Sequence, residues 1–316
     1  MNRNKEDRNV TGQPKIGFVG VGYMGHGMAK NILKGGYDLM IKGNRNRAPV
    51  ESLTAMGARE AASLSEMAAA CDIVFLCLSN SPQVEAVVRG EDGLIANGKP
   101  GLIVVDTTTA NPVSTEALAT ELEARDMHMV DAPLGRTPKE AEAGTLDAMV
   151  GAAPEVFESV RPVIDCWAGS VTHLGPVGAG HKMKLVMNFL GTGYAALYAE
   201  AFTMGAKVGL APQLVREVIG GSRMGCGFFE TYTQWVCDRN REAHVFSLDN
   251  AAKDIGYVCL MAQAAGMANP MSATIRNAFA SAVAQGKGAD YMPMLADHVA
   301  ALNGLDLGAE VEKGRS

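Results

Sequence analysis

The sequence KIGFVGVGYMGHGMAKNIL, residues 15–33, predicts a strand, a tight turn and a helix in immediate succession. The apolar run Lys15–Gly20 is typical of a buried parallel strand, and the residues after Gly25 are apolar at helical spacing. The turn carries Gly20, Gly22 and Gly25 in the pattern GxGxxG. Such glycines let a pyrophosphate approach the free N–H groups at a helix N-terminus. In this context the motif indicates the binding of a dinucleotide.

A second strand is predicted at Asp38–Lys42, and the residues after it bear on the choice of cofactor. A fold selective for NAD places Asp or Glu about 20 residues past the glycines, where it binds the ribose 2′-hydroxyl. Here the sequence at 44–47 is NRNR, with no acid. Because guanidinium groups bind phosphate bidentately, Asn44 and Arg45 favour NADP over NAD. The alternative is that these arginines belong to a solvated loop.

Strands and helices keep alternating after this point, which predicts a dinucleotide-binding domain over residues 14–176. Such alternation is typical of a doubly wound, Rossmann-type parallel sheet that binds ligands at the carboxyl ends of its strands. Two polar segments, Thr107–Thr109 and Leu134–Thr137, follow strands directly and are expected at that edge. Threonines in such places also commonly cap the next helix. Further strands are predicted at 73–78, 102–105, 127–130, 148–151 and 170–174.

From residue 177 the alternation stops, and helical patterns predict an all-helical domain over residues 177–316. Its first element, residues 177–210, is expected to be one long helix with no charged side chain between Lys184 and Glu200. A helix this apolar needs burial on most of its sides. Two such domains packing together would provide it, so we expect a homodimer or a homotetramer.

Lys184 stands out near the start of this apolar helix. Asn188 follows four residues later, which places both side chains on one helical face. An amine held against an apolar helix is costly, and a functional role would explain its presence. The alternative is a lysine whose stem lies on apolar surface while its amine reaches solvent or a salt bridge. On spacing alone both interpretations stand.

Composition excludes several classes of function. The 316 residues carry a formal net charge of -6 and no suitable basic run, which argues against nucleic acid as a partner. Six scattered cysteines form no CxxC pair, so we expect no disulfide framework, no metal site and a reducing cytoplasm. Residues 1–13 are polar and are expected to be a disordered tail rather than a signal peptide. The longest apolar run is too short for a membrane span.

Several segments together resemble the β-hydroxyacid dehydrogenase family, which includes 3-hydroxyisobutyrate dehydrogenases, tartronate semialdehyde reductases and sulfolactaldehyde reductases. The resemblance covers nearly the whole chain after residue 13, and the order of its motifs makes it specific. The motifs are GFVGVGYMGHGMAKNIL at 17–33, NR at 44–45, DTTTANP at 106–112, DAPLGRTPKEAEAGTL at 131–146, GPVGAGHKMKLVMN at 175–188 and AAKDIG at 251–256.

The resemblance implies a reaction and a set of site residues. Lys184 would be the acid/base in the reduction of a small anionic aldehyde, or the oxidation of a 3-hydroxy acid, with NADPH or NADP as the hydride carrier. Burial should lower the pKa of Lys184 towards neutrality, which suits that role. Besides the glycines, the residues implied in cofactor binding are Tyr23, Met24, Asn44, Arg45, Leu78, Thr109 and Lys253. Those implied in substrate binding are Thr108, Gly135, Arg136, Thr137 and Asn188.

One departure from the family pattern concerns the substrate. Where many members have DAPVSGG, this chain has DAPLGRT at 131–137. Arg136 adds a charged fork suited to a tetrahedral anion, which is similar to the loop of sulfolactaldehyde reductases. The alternative is that Arg136 only pairs with a nearby acid such as Glu140.

Two rival functions remain. An imine reductase shares the fold, but such proteins generally lack the lysine at this position. A catalytically silent NADP-binding protein would also be expected to have lost Lys184.

Overall fold

The computed structural model describes residues 12–315. The chain divides into two compact units, Met1–His181 and Lys182–Ser316. The division lies slightly after residue 176, inside a long helix, so that the first residues of this helix belong to the first unit. Most of the disordered tail predicted at residues 1–13 lies outside the described residues.

The first unit is built on one nine-stranded sheet. Its strands are β1 (Ile16–Val19), β2 (Leu39–Lys42), β3 (Arg59–Glu60), β4 (Ile73–Leu76), β5 (Ile103–Asp106), β6 (His128–Asp131), β7 (Leu134–Gly135), β8 (Leu146–Gly151) and β9 (Ala168–Gly175). They lie in the order β3-β2-β1-β4-β5-β6-β8-β7, and β9, which is outside this order, pairs with β8. The chain moves from β1 outward through β2 and β3, then returns to continue from β4 on the other side. This doubly wound order places a ligand crevice at the carboxyl ends of β1 and β4.

The prediction of a doubly wound sheet is confirmed, but the sheet is not parallel throughout. Strands β3, β2, β1, β4, β5 and β6 are parallel, whereas β8 pairs antiparallel with β6 and β7. Strand β9 is parallel to β8 and so shares its reversed direction. The two-residue strands β3 and β7 were not predicted, since two residues are too short for a periodic pattern.

Both faces of the sheet are buried at its central strands, such as β1 and β4, which explains why these strands are apolar runs without alternation. In β4, Ile73 and Phe75 point into one apolar cluster while Val74 and Leu76 point into another. Phe75 stacks on Phe18 and contacts the edge of the buried Trp167. The helices of this unit are α1 (Gly25–Lys34), α2 (Ala48–Ala55), α3 (Leu64–Ala70), α4 (Ser81–Arg89), α5 (Leu94–Asn97), α6 (Pro112–Glu123), α7 (Pro138–Ala143) and α8 (Pro154–Ile164).

The second unit is helical, as predicted, and has its own apolar core around Phe202, Phe229, Tyr232 and Phe279. Its α-helices are α9 (Ala179–Lys207, begun in the first unit), α10 (Pro212–Gly220), α11 (Gly227–Asp238), α12 (Leu248–Ala264), α13 (Pro270–Ala284), α14 (Leu295–Leu302) and α15 (Leu307–Lys313). Among residues 12–315, no helix is long and apolar enough to cross a bilayer. The same residues contain no cluster of three side chains suited to a metal, and all six cysteines are free thiols.

Candidate active site

The glycine turn after β1 is shaped by close backbone packing on one side and open space on the other. Gly20 has φ +94°, and a Cβ there would lie 2.3 Å from the carbonyl oxygen of Cys77. A Cβ on Gly25 would lie 2.0 Å from the carbonyl oxygen of Gly20. By contrast, nothing lies within 4 Å of a Cβ built on Gly22. No side chain of the described residues caps α1 at Met24. The open side and the uncapped N–H groups fit the pyrophosphate of a dinucleotide.

The loop after β2 separates its two arginines. Arg47 makes a bidentate ion pair with Glu60, with N–O distances of 2.9 and 2.6 Å. Asn44 and Arg45 are exposed, and within residues 12–315 the side chain of Arg45 makes no ion pair. Of the two arginines in this loop, Arg47 is therefore occupied by its ion pair with Glu60, which leaves Arg45 to bind an external anion.

The segments after β4 and β5 are tied together by Thr108. Its hydroxyl accepts a hydrogen bond from the Leu78 N–H at 3.0 Å, and its own N–H donates to Asp106 at 2.9 Å. Thr108 is 2% exposed, whereas the adjacent Thr109 is half-buried. The hydroxyl of Thr108 thus connects the segment after β4, which contains Leu78, to the segment after β5, which contains Thr109.

The loop at Gly135–Thr137 has an unusual backbone. Arg136 has φ +77°, a left-handed conformation that is uncommon for a residue with a side chain. Its Nε donates to Asp147 at 2.9 Å, and its side chain is half exposed. Glu140, the pairing partner considered from the sequence, instead accepts hydrogen bonds from the N–H and hydroxyl of Thr137. Arg136 therefore does pair with a nearby acid, as the alternative interpretation expected, but the acid is Asp147 rather than Glu140, because β7 pairs with β8 and brings Asp147 opposite Gly135.

In the second unit, helices α9 and α12 bring Lys184, Asn188 and Lys253 around one carboxylate. The amide of Asn188 donates to Asp254 at 2.7 Å, and the amine of Lys253 lies 2.9 Å from the other carboxylate oxygen. Asp254 is 1% exposed. Lys182, two residues before Lys184, is exposed, as its place on the helix predicted.

The electrostatics of this cluster act on Lys184. Burial lowers the pKa of the half-buried Lys184 amine, the carboxylate of Asp254 opposes this, and the charge of Lys253 adds to it. Burial likewise raises the pKa of Asp254, against the effect of the neighbouring lysines. The cluster therefore holds an amine whose charged form is less favoured than that of an exposed lysine, so it gives up its proton more readily.

Sequence analysis missed Asp254, although a signal for it exists. On α12 the buried positions Ala251, Ile255 and Val258 follow helical spacing, and Asp254 occupies a position on the same face. An acid on the apolar face of a helix is costly unless it is paired. Two of its partners, Lys184 and Asn188, come from α9, far away in the sequence, so only the fold identifies them.

Comparison with known proteins places the chain in a family. Residues 15–175 match the family described as the NAD-binding domain of 6-phosphogluconate dehydrogenase, and residues 178–300 match the NAD-binding domain of NADP-dependent 3-hydroxyisobutyrate dehydrogenase. The 2-(hydroxymethyl)glutarate dehydrogenase of Eubacterium barkeri is 36% identical over 88% of this chain and 92% of its own length. The 3-sulfolactaldehyde reductase of Escherichia coli is 29% identical over 86% and 91%.

A solved structure extends this likeness to the fold. The 3-hydroxyisobutyrate dehydrogenase of Salmonella typhimurium is 28% identical, with a TM-score of 0.77 over 90% of this chain and 99% of its own. The chain belongs to the β-hydroxyacid dehydrogenase family. It is an NAD(P)-dependent oxidoreductase that acts on CH–OH groups, which confirms the family and the enzyme class predicted from its motifs.

Proposed function

We propose that the chain interconverts a small anionic aldehyde and the corresponding 3-hydroxy acid, of the tartronate semialdehyde or 3-hydroxyisobutyrate type, with NADP(H) as cofactor and Lys184 as acid/base. The observation that carries the proposal is the buried carboxylate of Asp254, around which Lys184, Asn188 and Lys253 are arranged. A buried acid with this set of partners suits a site of proton transfer better than a stabilising ion pair, because buried ion pairs add little stability on balance.

A bound nicotinamide would supply the hydride for the aldehyde carbon in reduction and would accept it in oxidation. In reduction, the Lys184 ammonium donates its proton to the aldehyde oxygen, so the C=O π bond is replaced by one C–H and one O–H bond. The amine, left neutral, takes the proton back from the hydroxyl in oxidation. Asp254 accepts only, so the NH₂ of Asn188 faces it and the amide oxygen of Asn188 stays free to orient the substrate.

NADP is favoured over NAD because Arg45 is the arginine of its loop that is free to meet a 2′-phosphate. Replacing Arg45 by Ala should raise KM for NADPH about tenfold or more, in keeping with the strength of a charge-assisted bidentate contact, and leave KM for NADH unchanged. Asn46→Ala, in the same loop, is the matched control. Equal KM values for NADPH in wild type and Arg45→Ala would contradict the preference.

A second candidate, a reductase of the sulfolactaldehyde type, is favoured by the geometry of Arg136. Asp147 engages the Nε of Arg136, and within residues 12–315 no hydrogen bond occupies its two terminal nitrogens. A fork held at its base and free at its tip suits a sulfonate or a second carboxylate. The second carboxylate is consistent with the relative named for hydroxymethylglutarate, which carries two such groups.

One panel of assays tests these proposals. The purified protein is given NADPH or NADH with tartronate semialdehyde, methylmalonate semialdehyde, succinic semialdehyde, glyoxylate and sulfolactaldehyde. We expect turnover with at least one, and Arg136→Ala should change the ranking of substrates while Lys139→Ala, in the first turn of α7, should not. Binding of NADPH without turnover of any substrate would favour a catalytically silent protein instead.

We also propose that the chain forms a homodimer, or a homotetramer built from dimers, through α9. Six large apolar residues on one face of this helix, and Val208 directly after its end, are between 41% and 70% exposed. They form what we call the α9 stripe: Met183, Met187, Leu190, Tyr194, Leu197, Met204 and Val208. Their spacing alternates between four and three residues, with Ala201 completing the series, which is the heptad pattern by which helices pair. A second copy of the same stripe is the partner that this pattern fits.

A further inference from the structure

A histidine that the proposed reaction does not use lies buried at the start of α9. His181 is fully buried, with its Nε2 2.8 Å from the Thr108 carbonyl oxygen and its Nδ1 2.8 Å from the Thr115 hydroxyl. Because a carbonyl only accepts, Nε2 carries a hydrogen and donates it. The ring thereby joins the first turn of α9 to the end of β5 and to helix α6.

Two buried carboxylates flank this ring. Asp131, at the end of β6, accepts hydrogen bonds from the N–H groups of Gly178 and His181 at 2.6 and 2.7 Å. Asp106, at the end of β5, accepts from the Thr108 N–H, and its second oxygen lies 3.9 Å from Nε2 of His181. Within residues 12–315 that second oxygen makes no hydrogen bond. Directional hydrogen bonds thus connect the start of α9 to the carboxyl ends of β5 and β6.

A polar network of this kind is costly to bury, and an apolar side chain could fill the same space. One of its contacts, however, reaches a segment that carries proposed site residues. Thr108 accepts its bond from His181 on one side and holds the Leu78 N–H with its hydroxyl on the other. Lys184 follows His181 by three residues, so it stands on the next turn of the same helix.

We propose that His181 is a positioning residue for the reaction: by holding Thr108 and the first turn of α9, it sets the direction in which Lys184 is presented. The inference rests on the proposed function, which assigns proton transfer to Lys184. Catalytic groups must be placed closely, since a misplacement of about 1 Å can cost about 100-fold in rate. Loss of the imidazole bonds should therefore reduce turnover more than it reduces cofactor binding.

The test compares His181→Leu, which removes both bonds, with His181→Gln, whose amide nitrogen can replace Nε2 as donor to Thr108. We expect His181→Leu to lower kcat about 10- to 100-fold with the Kd for NADPH changed less than about threefold, and His181→Gln to stay within about threefold of wild type in kcat. Amine-directed labelling of Lys184 across pH, without substrate, is a second readout. The pH at which half of Lys184 is labelled should shift in His181→Leu and should have its wild-type value in His181→Gln.

A purely structural role gives a different result. Both variants would then lower Tm while kcat per folded molecule and the labelling midpoint stayed at wild-type values, and that outcome overturns the inference. If His181→Leu does not fold, Thr115→Val tests the bond to Nδ1, with Thr120→Val on the same helix as control. Full turnover in Lys184→Ala would refute the proposed function itself, whereas loss of turnover there with normal kcat in His181→Leu would refute only the role of His181.

Discussion

Lys182 and Lys184 are two lysines on one turn of one helix in contrasting environments. Lys182 is exposed, whereas Lys184 is half-buried next to Asp254. Removing an amine from water disfavours its charged form, and a nearby carboxylate partly restores it. The same side chain is therefore a surface charge at one position and a group able to exchange a proton at the other.

The first prediction separates these two lysines. Lys184→Ala should lower kcat by roughly 100- to 10,000-fold, the range that general acid/base catalysis contributes, with the Kd for NADPH nearly unchanged. Lys182→Ala is the matched control and should keep wild-type turnover. Steady-state kinetics and fluorescence titration measure the two effects. A Lys184→Ala enzyme with normal kcat would place the proton donor elsewhere.

The second prediction concerns pH. Reduction needs the Lys184 ammonium, and because burial lowers the pKa of this amine, reduction should fall as pH rises through a value below the ordinary range for lysine. Oxidation needs the neutral amine and should rise over the same interval. Asp254→Asn removes the charge that raises the pKa of Lys184, so both midpoints should move to lower pH. Asp249→Asn, on the same helix, is the control and should leave both midpoints unchanged. If Asp254→Asn also left both midpoints unchanged, Asp254 would not influence the proton transfer.

At the scale of single elements, the turn between β1 and α1 uses its glycines for different reasons. Gly25 packs against the backbone of Gly20, so the fold itself excludes a side chain there. Gly22 faces open space, and the fold has no need of a glycine at that position. A glycine at position 22 is then best explained by a ligand that binds in this open space.

The third prediction follows from this contrast. Gly25→Ala should lower Tm of the ligand-free protein, since the new methyl group overpacks the turn at a cost of about 1–3 kcal/mol. Gly22→Val should leave Tm nearly unchanged and weaken NADPH binding about tenfold or more, because the side chain fills the space proposed for the pyrophosphate. Gly227→Val, another glycine with open space at its Cβ, is the control. Normal NADPH binding by Gly22→Val would contradict the placement.

At the scale of the whole molecule, each unit has its own apolar core, yet α9 leaves a long apolar face uncovered. Between Lys184 and Lys207 the helix has one charged residue, Glu200. Exposed apolar surface of this extent on a single chain is typical of an interface. If the same face of a second chain covered this apolar face of α9, both surfaces of the contact would be apolar.

The fourth prediction tests the α9 stripe. The double variant Leu190→Glu and Leu197→Glu should reduce the molar mass in solution from a multiple of the 33.2 kDa chain to that of a monomer, because two charges would have to be buried in the contact. Light scattering after size exclusion measures the mass, and circular dichroism confirms helical content. Leu302→Glu, an exposed leucine on α14, should leave the assembly intact. A wild-type monomer would exclude the dimer altogether.

Local patterns in the sequence determined the fold class. The run at residues 15–33 specifies strand, turn and helix through apolar spacing and glycines, and such signals act over a few residues. The same holds for the long helix, the order of most strands along the chain, and the place of Lys184 and Asn188 on one helical face. The ordered motifs sufficed to identify the family.

Contacts between distant segments were decided only by the tertiary structure. The reversal of β8 and β9, the pairing of Arg136 with Asp147 and the partners of Asp254 each join residues that no local pattern relates. The ion pair of Arg47 with Glu60 also became visible only in the tertiary structure. The physical reason is that a side chain's charge state and partners depend on what is packed around it, and packing is set by the whole chain rather than by its neighbours in sequence.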